Sequence, residues 1–167
     1  MKPTVYLAGS IRDTIPEDTA WRERAIDRLG SVAQILSPLA GKTFDTRTGL
    51  WWLYGYVEPD AKYIFHADFW CVDRADILLV DFRSLQDGYP SIETLMELGR
   101  STNRSCLRVG VVSAIYTGRG NAQHFKGLHP FLEHNCAKVF NTMDQAIEFV
   151  YCYCQAVTTH PRYKGGA

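Results

Sequence analysis

The hydrophobic residues of this chain fall into two patterns that alternate along its length. Short apolar runs predict buried strands at residues 4–8, 32–36, 75–81, 107–112 and 138–140. Apolar residues at helical spacing lie between and after these runs, at residues 16–29, 59–72 and 142–156, and a further helix carries Glu97 and ends near residue 101. Because parallel neighbours need crossover connections, strands that alternate with helices predict an α/β fold with a parallel sheet of about five strands and helices on both faces.

These elements predict a single α/β catalytic domain over residues 1–157, followed by a loose tail at 158–167. Residues 39–57 follow neither pattern and predict a long irregular loop. Two interpretations stay open for the aromatic residues in this loop, which include Trp51 and Trp52. Their indoles suit stacking on a flat heterocycle, and aromatic residues are also enriched at subunit interfaces.

Composition excludes several classes of partner. The 167 residues include 18 Lys or Arg and 18 Asp or Glu, so the overall charge does not favour nucleic acid or an anionic membrane. No apolar run approaches the roughly 20 residues that a membrane-spanning helix needs. The five cysteines are odd in number and no signal peptide precedes them, so we expect reduced thiols in a cytoplasmic protein.

No motif in the chain predicts a metal or a cofactor. The five histidines show no metal-ligand spacing, and Cys152 and Cys154 lack a second pair to complete a zinc site. Gly-Lys-Thr at residues 41–43 is not a phosphate-binding P-loop by itself, and no G-x-G-x-x-G is present. We therefore expect neither a metal nor a cofactor.

Two glutamates on one helix compete for a chemical role. Glu97 has apolar neighbours, so it is either a carboxyl in a partly dry pocket or an exposed residue paired with Arg100. Glu93 lies four residues earlier on the same face, although a helix cap at Ser91 would make it an ordinary first-turn residue. Two carboxyls, one as nucleophile and one as acid and base, suit chemistry at a sugar carbon.

Aspartates bracket the third predicted strand and supply candidates for the second carboxyl. Ligands bind beyond the carboxyl ends of parallel strands. Position alone therefore favours Asp81, at the end of the strand, over Asp76 at its start, where turn residues are common. Asp60 and Asp68, on the preceding helix, are interpreted as solvated or capping residues.

The first strand and the turn after it offer further polar groups. Tyr6 alternates with apolar residues and is most simply a core tyrosine with a bonded hydroxyl. The turn at Gly9, Ser10 and Arg12 offers backbone amides, a hydroxyl and a guanidinium, which suit a phosphate or a sugar hydroxyl.

In order and spacing, four segments together resemble the nucleoside 2-deoxyribosyltransferases. They are YLAGSI at 6–11, RADILLVD at 74–81, PSIETLMELG at 90–99, and a late His-Pro at 129–130 followed by VFNTMDQAI at 139–147. The matches span residue 5 to about 150, nearly the whole chain. The resemblance implies a flavodoxin-like, Rossmann-like fold and exchange of the base of a 2′-deoxynucleoside through a covalent deoxyribosyl-glutamate intermediate.

The same resemblance implies roles for individual residues. Glu97 is implied to be the nucleophile, Asp76 to protonate the leaving base and deprotonate the incoming one, and Tyr6 to orient the nucleophile. This implication reverses the positional preference for Asp81. With the two tryptophans included, the residues expected to bind substrate are Gly9, Ser10, Ile11, Arg12, Ser91, Trp51 and Trp52.

Two other functions remain open. The turn at residues 9–12, with Ser91, also resembles the related deoxynucleoside 5′-monophosphate N-glycosidases, in which polar groups and an arginine hold the phosphate and water receives the sugar. A non-catalytic nucleotide-binding module is the third, since a fold alone does not imply activity. The expected partners are deoxynucleosides and free bases, and the resemblance implies a homo-oligomer with shared active sites.

Overall fold

The structure is a computed structural model that describes residues 2–11, 16–45, 50–53, 61–86, 91–112 and 130–159. Its strands are β1 (Thr4–Gly9), β2 (Gln34–Leu36), β3 (Lys42–Asp45), β4 (Leu50–Leu53), β5 (Ile77–Asp81), β6 (Leu107–Val111) and β7 (Lys138–Phe140). Its helices are α1 (Glu17–Leu29), α2 (Ala61–Arg74), α3 (Arg83–Gln86), α4 (Ile92–Ser101), α5 (Pro130–Asn135) and α6 (Met143–Thr159).

Five strands form one parallel sheet in the order β2-β1-β5-β6-β7. Counted within the sheet this order is 2-1-3-4-5, which is the flavodoxin-like arrangement. The chain therefore has the predicted α/β fold. The strand order reverses between β1 and β5, where Gly9 pairs with Asp81 at the carboxyl ends, and this is the point at which such sheets bind ligands.

Alternate residues of the central strands supply two hydrophobic cores, one on each face of the sheet. Val5 and Leu7 of β1 belong to a core with α1 and α6, whereas Tyr6 and Ala8 belong to a core with α2 and α4. Helices thus cover both faces, as predicted. The face that carries Tyr6 is the one against which the helix of Glu97 packs.

The prediction of an irregular loop at residues 39–57 was wrong, because part of this segment forms an antiparallel hairpin of β3 and β4. Its two strands are only four residues long, too short for a period of two to be distinguished from irregular sequence. The β-branched and aromatic residues at 43, 44, 51 and 52 are typical of strands, and they were the available signal.

Other differences are small. Helices α3 and α5 were not predicted, and α6 continues to Thr159, two residues into the segment predicted as a tail. The predicted loop at 116–129 and residues 160–167 lie outside the described residues. Over the part of the chain that the structure describes, no helix is long and apolar enough to cross a membrane.

Candidate active site

The helix that carries Glu97 begins at a side-chain cap. The hydroxyl of Ser91 accepts hydrogen bonds from the amide of Thr94 (3.2 Å) and from its hydroxyl (2.8 Å), which confirms the predicted cap. The buried face of α4 then repeats at helical spacing, at Thr94, Glu97, Leu98 and Ser101. Glu97 is therefore directed at the sheet by the same periodicity that buries Leu98, and it is only 4% exposed.

Glu97 meets Tyr6 beneath the helix. The phenolic hydroxyl of Tyr6, which is fully buried in β1, donates a hydrogen bond of 2.5 Å to Oε1 of Glu97. The pairing with Arg100 that was the simpler interpretation of Glu97 does not occur, because Arg100 pairs instead with Asp73 at 2.8 Å. Tyr6 and Glu97, two of the three predicted catalytic residues, thus lie in direct contact.

The surroundings of Glu97 oppose its ionisation. Burial raises the pKa of its carboxyl from 4.5 to about 8, and the negative charges of Asp68 and Glu93 add to this, while the Tyr6 hydrogen bond and the positive charge of Arg22 act in the opposite direction. Burial, followed by the charge of Glu97, also raises the pKa of Tyr6 well above 10. Tyr6 therefore stays a hydrogen-bond donor at any pH the protein tolerates.

A pocket of about 340 Å³ opens beside Glu97, between α2 and α4. Its walls are mostly apolar, and its polar groups are three carboxyls. The lining residues are Ile64, Phe65, Asp68, Phe69, Ile92, Glu93, Met96 and Glu97. An apolar cleft with a few convergent polar groups is the usual form of a small-molecule site, and a buried carboxyl with a strongly raised pKa is typical of catalytic positions.

Asp68 is a second carboxyl of this pocket, and it is partly buried. It lies on α2, its side chain is 18% exposed, and Lys42 of β3 contacts its Oδ1 at 3.3 Å. Burial raises the pKa of Asp68 above its ordinary value, while the charge and hydrogen bond of Lys42 act against the rise. The interpretation of Asp68 as a solvated or capping residue was therefore wrong.

Asp76, the residue that the resemblance implied as acid and base, is not brought together with Glu97. It precedes β5 at the end of the sheet where the strands begin, and its Oδ2 accepts a 2.8 Å hydrogen bond from the amide of Thr4. It is an exposed residue. In this structure Asp76 ties the start of β1 to the start of β5, and Asp68 occupies the position beside Glu97.

The turn after β1 is held by a buried arginine that sequence reasoning missed. Arg22 of α1 is 1% exposed, and its guanidinium donates to the carbonyls of Gly9 (2.7 Å), Ser10 (3.3 Å) and Asp18. Gly9 is required by close approach, because a Cβ at this position would lie 2.9 Å from Cβ of Asp81. Gly9 thus ends β1 beside Asp81, Ser10 and Ile11 follow it, and Arg12 lies outside the described residues.

Asp81 is the aspartate that strand position alone favoured as the second carboxyl of the site, but in the structure it pairs with an arginine. It is 5% exposed and forms a bidentate ion pair with Arg83, with contacts of 2.9 and 2.8 Å. Both of its oxygens are therefore engaged by the first residue of α3.

Known structures resemble this fold. A 2-desoxiribosyltransferase from Leishmania mexicana superposes with a TM-score of 0.60 at 17% identity, over 90% of this chain and 98% of that chain. A CMP N-glycosidase, BcmB, from Clostridium botulinum superposes with a TM-score of 0.52 at 12% identity, with the same coverage. This chain has the fold of both enzymes. The sequence matches no family model and no curated protein.

This shared fold agrees with the two enzyme classes that the sequence resembles. The remaining predicted binding residues are placed as follows. Ser91 caps α4 with its hydroxyl, which also donates to Glu93 at 3.2 Å, and Trp51 and Trp52 belong to β4, where the structure describes the backbone alone. Within the described residues, no three His, Cys, Asp or Glu side chains are grouped to hold a metal ion.

A signal for Asp68 was present in the sequence. Ile64, Phe65, Asp68 and Phe69 fall on one face of the predicted helix. A carboxylate within an otherwise apolar helical stripe is either paired or functional, because an unpaired buried charge is costly. No comparable signal marked Arg22, since a basic residue within a polar helix is ordinary until its burial is known.

Proposed function

We propose that this protein is a nucleoside 2-deoxyribosyltransferase, which exchanges the base of 2′-deoxynucleosides through a covalent deoxyribosyl-glutamate intermediate. The observation that carries the proposal is the buried Glu97, bonded to Tyr6 at 2.5 Å and facing a pocket that a second carboxyl, Asp68, also lines. A flat base suits the apolar pocket walls, which include Phe65 and Phe69. The shared fold with a transferase of this kind agrees with the proposal.

In the first half-reaction Asp68, protonated, gives its proton to the base as the bond from the base nitrogen to C1′ breaks. The electron pair of that bond leaves with the base, which departs neutral. Glu97, ionised, forms a new bond to C1′ from the opposite face. Tyr6 donates to the carboxylate and fixes the direction of attack, and Asp68 takes the role that the resemblance had implied for Asp76.

In the second half-reaction a different base replaces the first. Its ring nitrogen attacks C1′ and its N–H proton passes to Asp68, while the ester bond to Glu97 breaks and the carboxylate is released. Two inversions give net retention at C1′. These steps need protein side chains only.

The reactive form of this carboxyl pair carries one proton. Two protons would leave no nucleophile, and none would leave no acid for the departing base. Because burial raises the pKa values of both Glu97 and Asp68, with that of Glu97 at about 8, kcat/KM should fall above roughly this pH and also at acid pH. The two limbs belong to the pair rather than to either residue alone.

We further propose a homo-oligomer whose subunits share active sites. Large apolar side chains are exposed on α2 and α4, and three of them, Phe65, Ile92 and Met96, line the pocket. The exposed side chains on these two helices are Tyr63, Phe65, Trp70, Ile92 and Met96, from 40% to 66% exposed. A second subunit over these residues would exclude water from the reacting pair.

The second candidate is a nucleoside 5′-monophosphate N-glycosidase, in which water takes the place of the incoming base. The likeness to a CMP N-glycosidase favours it. The turn at Gly9 and Ser10, next to Arg12 in the sequence, offers the polar groups that a 5′-phosphate would need.

Chromatography of reaction mixtures tests both candidates. The protein is incubated with deoxyinosine, with and without free adenine or cytosine, and separately with deoxynucleoside monophosphates. A new deoxynucleoside that forms only with the acceptor base supports the transferase. Release of the base without exchange, from the monophosphate alone, would replace it with the glycosidase, and no turnover of any of these substrates would overturn both.

A further inference from the structure

A largely buried lysine side chain contacts Asp68, the pocket carboxyl that the proposed reaction needs. Lys42 has a side chain only 9% exposed, and its Nζ lies 3.3 Å from Oδ1 of Asp68. A lysine is rarely buried unless it is paired, because removing an ammonium from water is costly. Lys42 and Asp68 are 26 residues apart in sequence. Their contact therefore depends on the packing of β3 against α2 and not on local structure.

Backbone hydrogen bonds and a glycine conformation fix the chain just before Lys42. The amide of Ala40 donates to the carbonyl of Ser37, and the amide of Lys42 donates to that of Leu39. Gly41 has a φ of +75°, in the left-handed region that glycine adopts at little cost. The turns over residues 37–42 thus end at Lys42, the first residue of β3, whose side chain contacts Asp68.

The charges around Asp68 show what the lysine does. The negative charge of Asp68 raises the pKa values of three groups around it, which are Glu97 of α4, Tyr6 of β1 and Cys71 of α2. Arg22 of α1 favours the charge from further away, without a hydrogen bond to it, whereas Lys42 is in contact. Lys42 is therefore the nearest positive charge that these residues supply to the carboxyl.

We infer that Lys42 is a positioning residue for Asp68: it holds Oδ1 by direct contact and favours the ionised carboxyl, so that the single proton of the pair rests on Glu97 until substrate binding moves that proton to Asp68. This inference rests on the proposed function for its catalytic meaning. Its electrostatic part concerns the free protein and is testable without any substrate.

The test is an NMR titration of side-chain carboxyls in ¹³C-labelled protein, comparing wild type with Lys42→Met, Lys42→Arg and Lys138→Met. An opposite charge in contact lowers a carboxyl pKa by about 1 to 3 units. The Asp68 pKa should therefore rise by about that amount in Lys42→Met and stay near the wild-type value in Lys42→Arg. Lys138 is an exposed residue of β7, at the far edge of the sheet, so its replacement should leave Asp68 unchanged.

An Asp68 titration that does not move in Lys42→Met overturns the inference. Should that variant fail to fold, Asp68→Asn in the wild-type background gives the reciprocal measurement: the ¹⁵N signal of the Lys42 ammonium must shift, and an unchanged signal overturns the inference equally. In the enzyme assay, the acid limb of the kcat/KM profile should move to higher pH in Lys42→Met and return in Lys42→Arg.

These readouts separate the inference from the proposed function. A shifted Asp68 titration in a protein that turns over no nucleoside supports the ion pair and removes the transferase. If the protein exchanges bases but Lys42→Met shifts neither the Asp68 titration nor the acid limb of kcat/KM, the transferase is supported and the role of Lys42 is overturned.

Discussion

The hydroxyl of Tyr6 donates a hydrogen bond of 2.5 Å to the carboxyl of Glu97, and 91 residues of sequence separate the two. Both side chains are buried, Tyr6 completely and Glu97 to within 4%. A hydrogen bond that favours the ionised carboxyl works against the burial that disfavours it. The contact thus joins the sheet to α4 and also reduces the proton affinity that burial gives the proposed nucleophile.

Replacing Tyr6 with phenylalanine should lower activity and shift its pH dependence. Loss of the donor raises the pKa of Glu97 further, so the alkaline limb of kcat/KM moves to higher pH. Because hydrogen bonds to charged groups contribute about 1.5 to 3 kcal/mol, kcat/KM at pH 7 should fall about 10- to 100-fold. Tyr153→Phe, at an exposed tyrosine of α6, is the matched control. A Tyr6→Phe profile that overlays the wild type would show that the bond has no part in the reaction.

Asp68→Asn and Asp76→Asn should separate the two aspartates that compete for the acid-base role. Asparagine at 68 cannot deliver a proton to the leaving base, so kcat should fall about 10²- to 10⁴-fold. At 76 it keeps an acceptor oxygen for the Thr4 amide, so both activity and stability should stay close to wild type. The opposite ranking of the two variants would return the role to Asp76.

The choice between these aspartates shows where sequence interpretation reaches its limit. Asp68 and Asp76 lie eight residues apart, on either side of a helix end, and short motif resemblance does not distinguish them. The distinction depends on which face of α2 packs toward α4. That packing is a tertiary relationship between helices on the same face of the sheet, and helical periodicity alone does not specify a partner.

The sheet was more predictable than the site. Strands β1 and β5 contain continuous apolar runs, at residues 5–8 and 77–80, because both of their faces are buried, and this property is visible in the sequence. Strand β3 of the hairpin has no such run, so Lys42 and its contact with Asp68 could not be anticipated. Motifs marked Glu97 and Tyr6 as candidates, and their contact depends on how α4 packs against β1.

Glu97→Gln should abolish turnover, whereas Glu93→Gln should retain it. The two glutamates lie one turn apart on α4 and line the same pocket, but Glu93 is exposed and Glu97 is buried. Glutamine fills the same volume and cannot form the covalent ester, so the loss should exceed about 10³-fold. Mass spectrometry of quenched wild-type reactions should show a deoxyribosyl adduct on the peptide containing Glu97. An adduct at Glu93, or wild-type rates in Glu97→Gln, would move the nucleophile.

The same substitution should stabilise the protein at alkaline pH. The carboxyl of Glu97 has a folded-state pKa of about 8 against 4.5 when unfolded, so the folded state holds the proton more tightly. Its contribution to stability is fully present below pH 4.5 and is lost as the pH rises toward 8. Glutamine carries no such proton, so between pH 5 and pH 8 Glu97→Gln should gain about 2 to 4 kcal/mol in unfolding free energy relative to wild type. Urea denaturation of both proteins at the two pH values measures this double difference, in which the remaining groups cancel.

Glu93→Gln should show no such gain because Glu93 is exposed. If the unfolding free energies of Glu97→Gln and wild type change in parallel with pH, the buried carboxyl has no raised proton affinity.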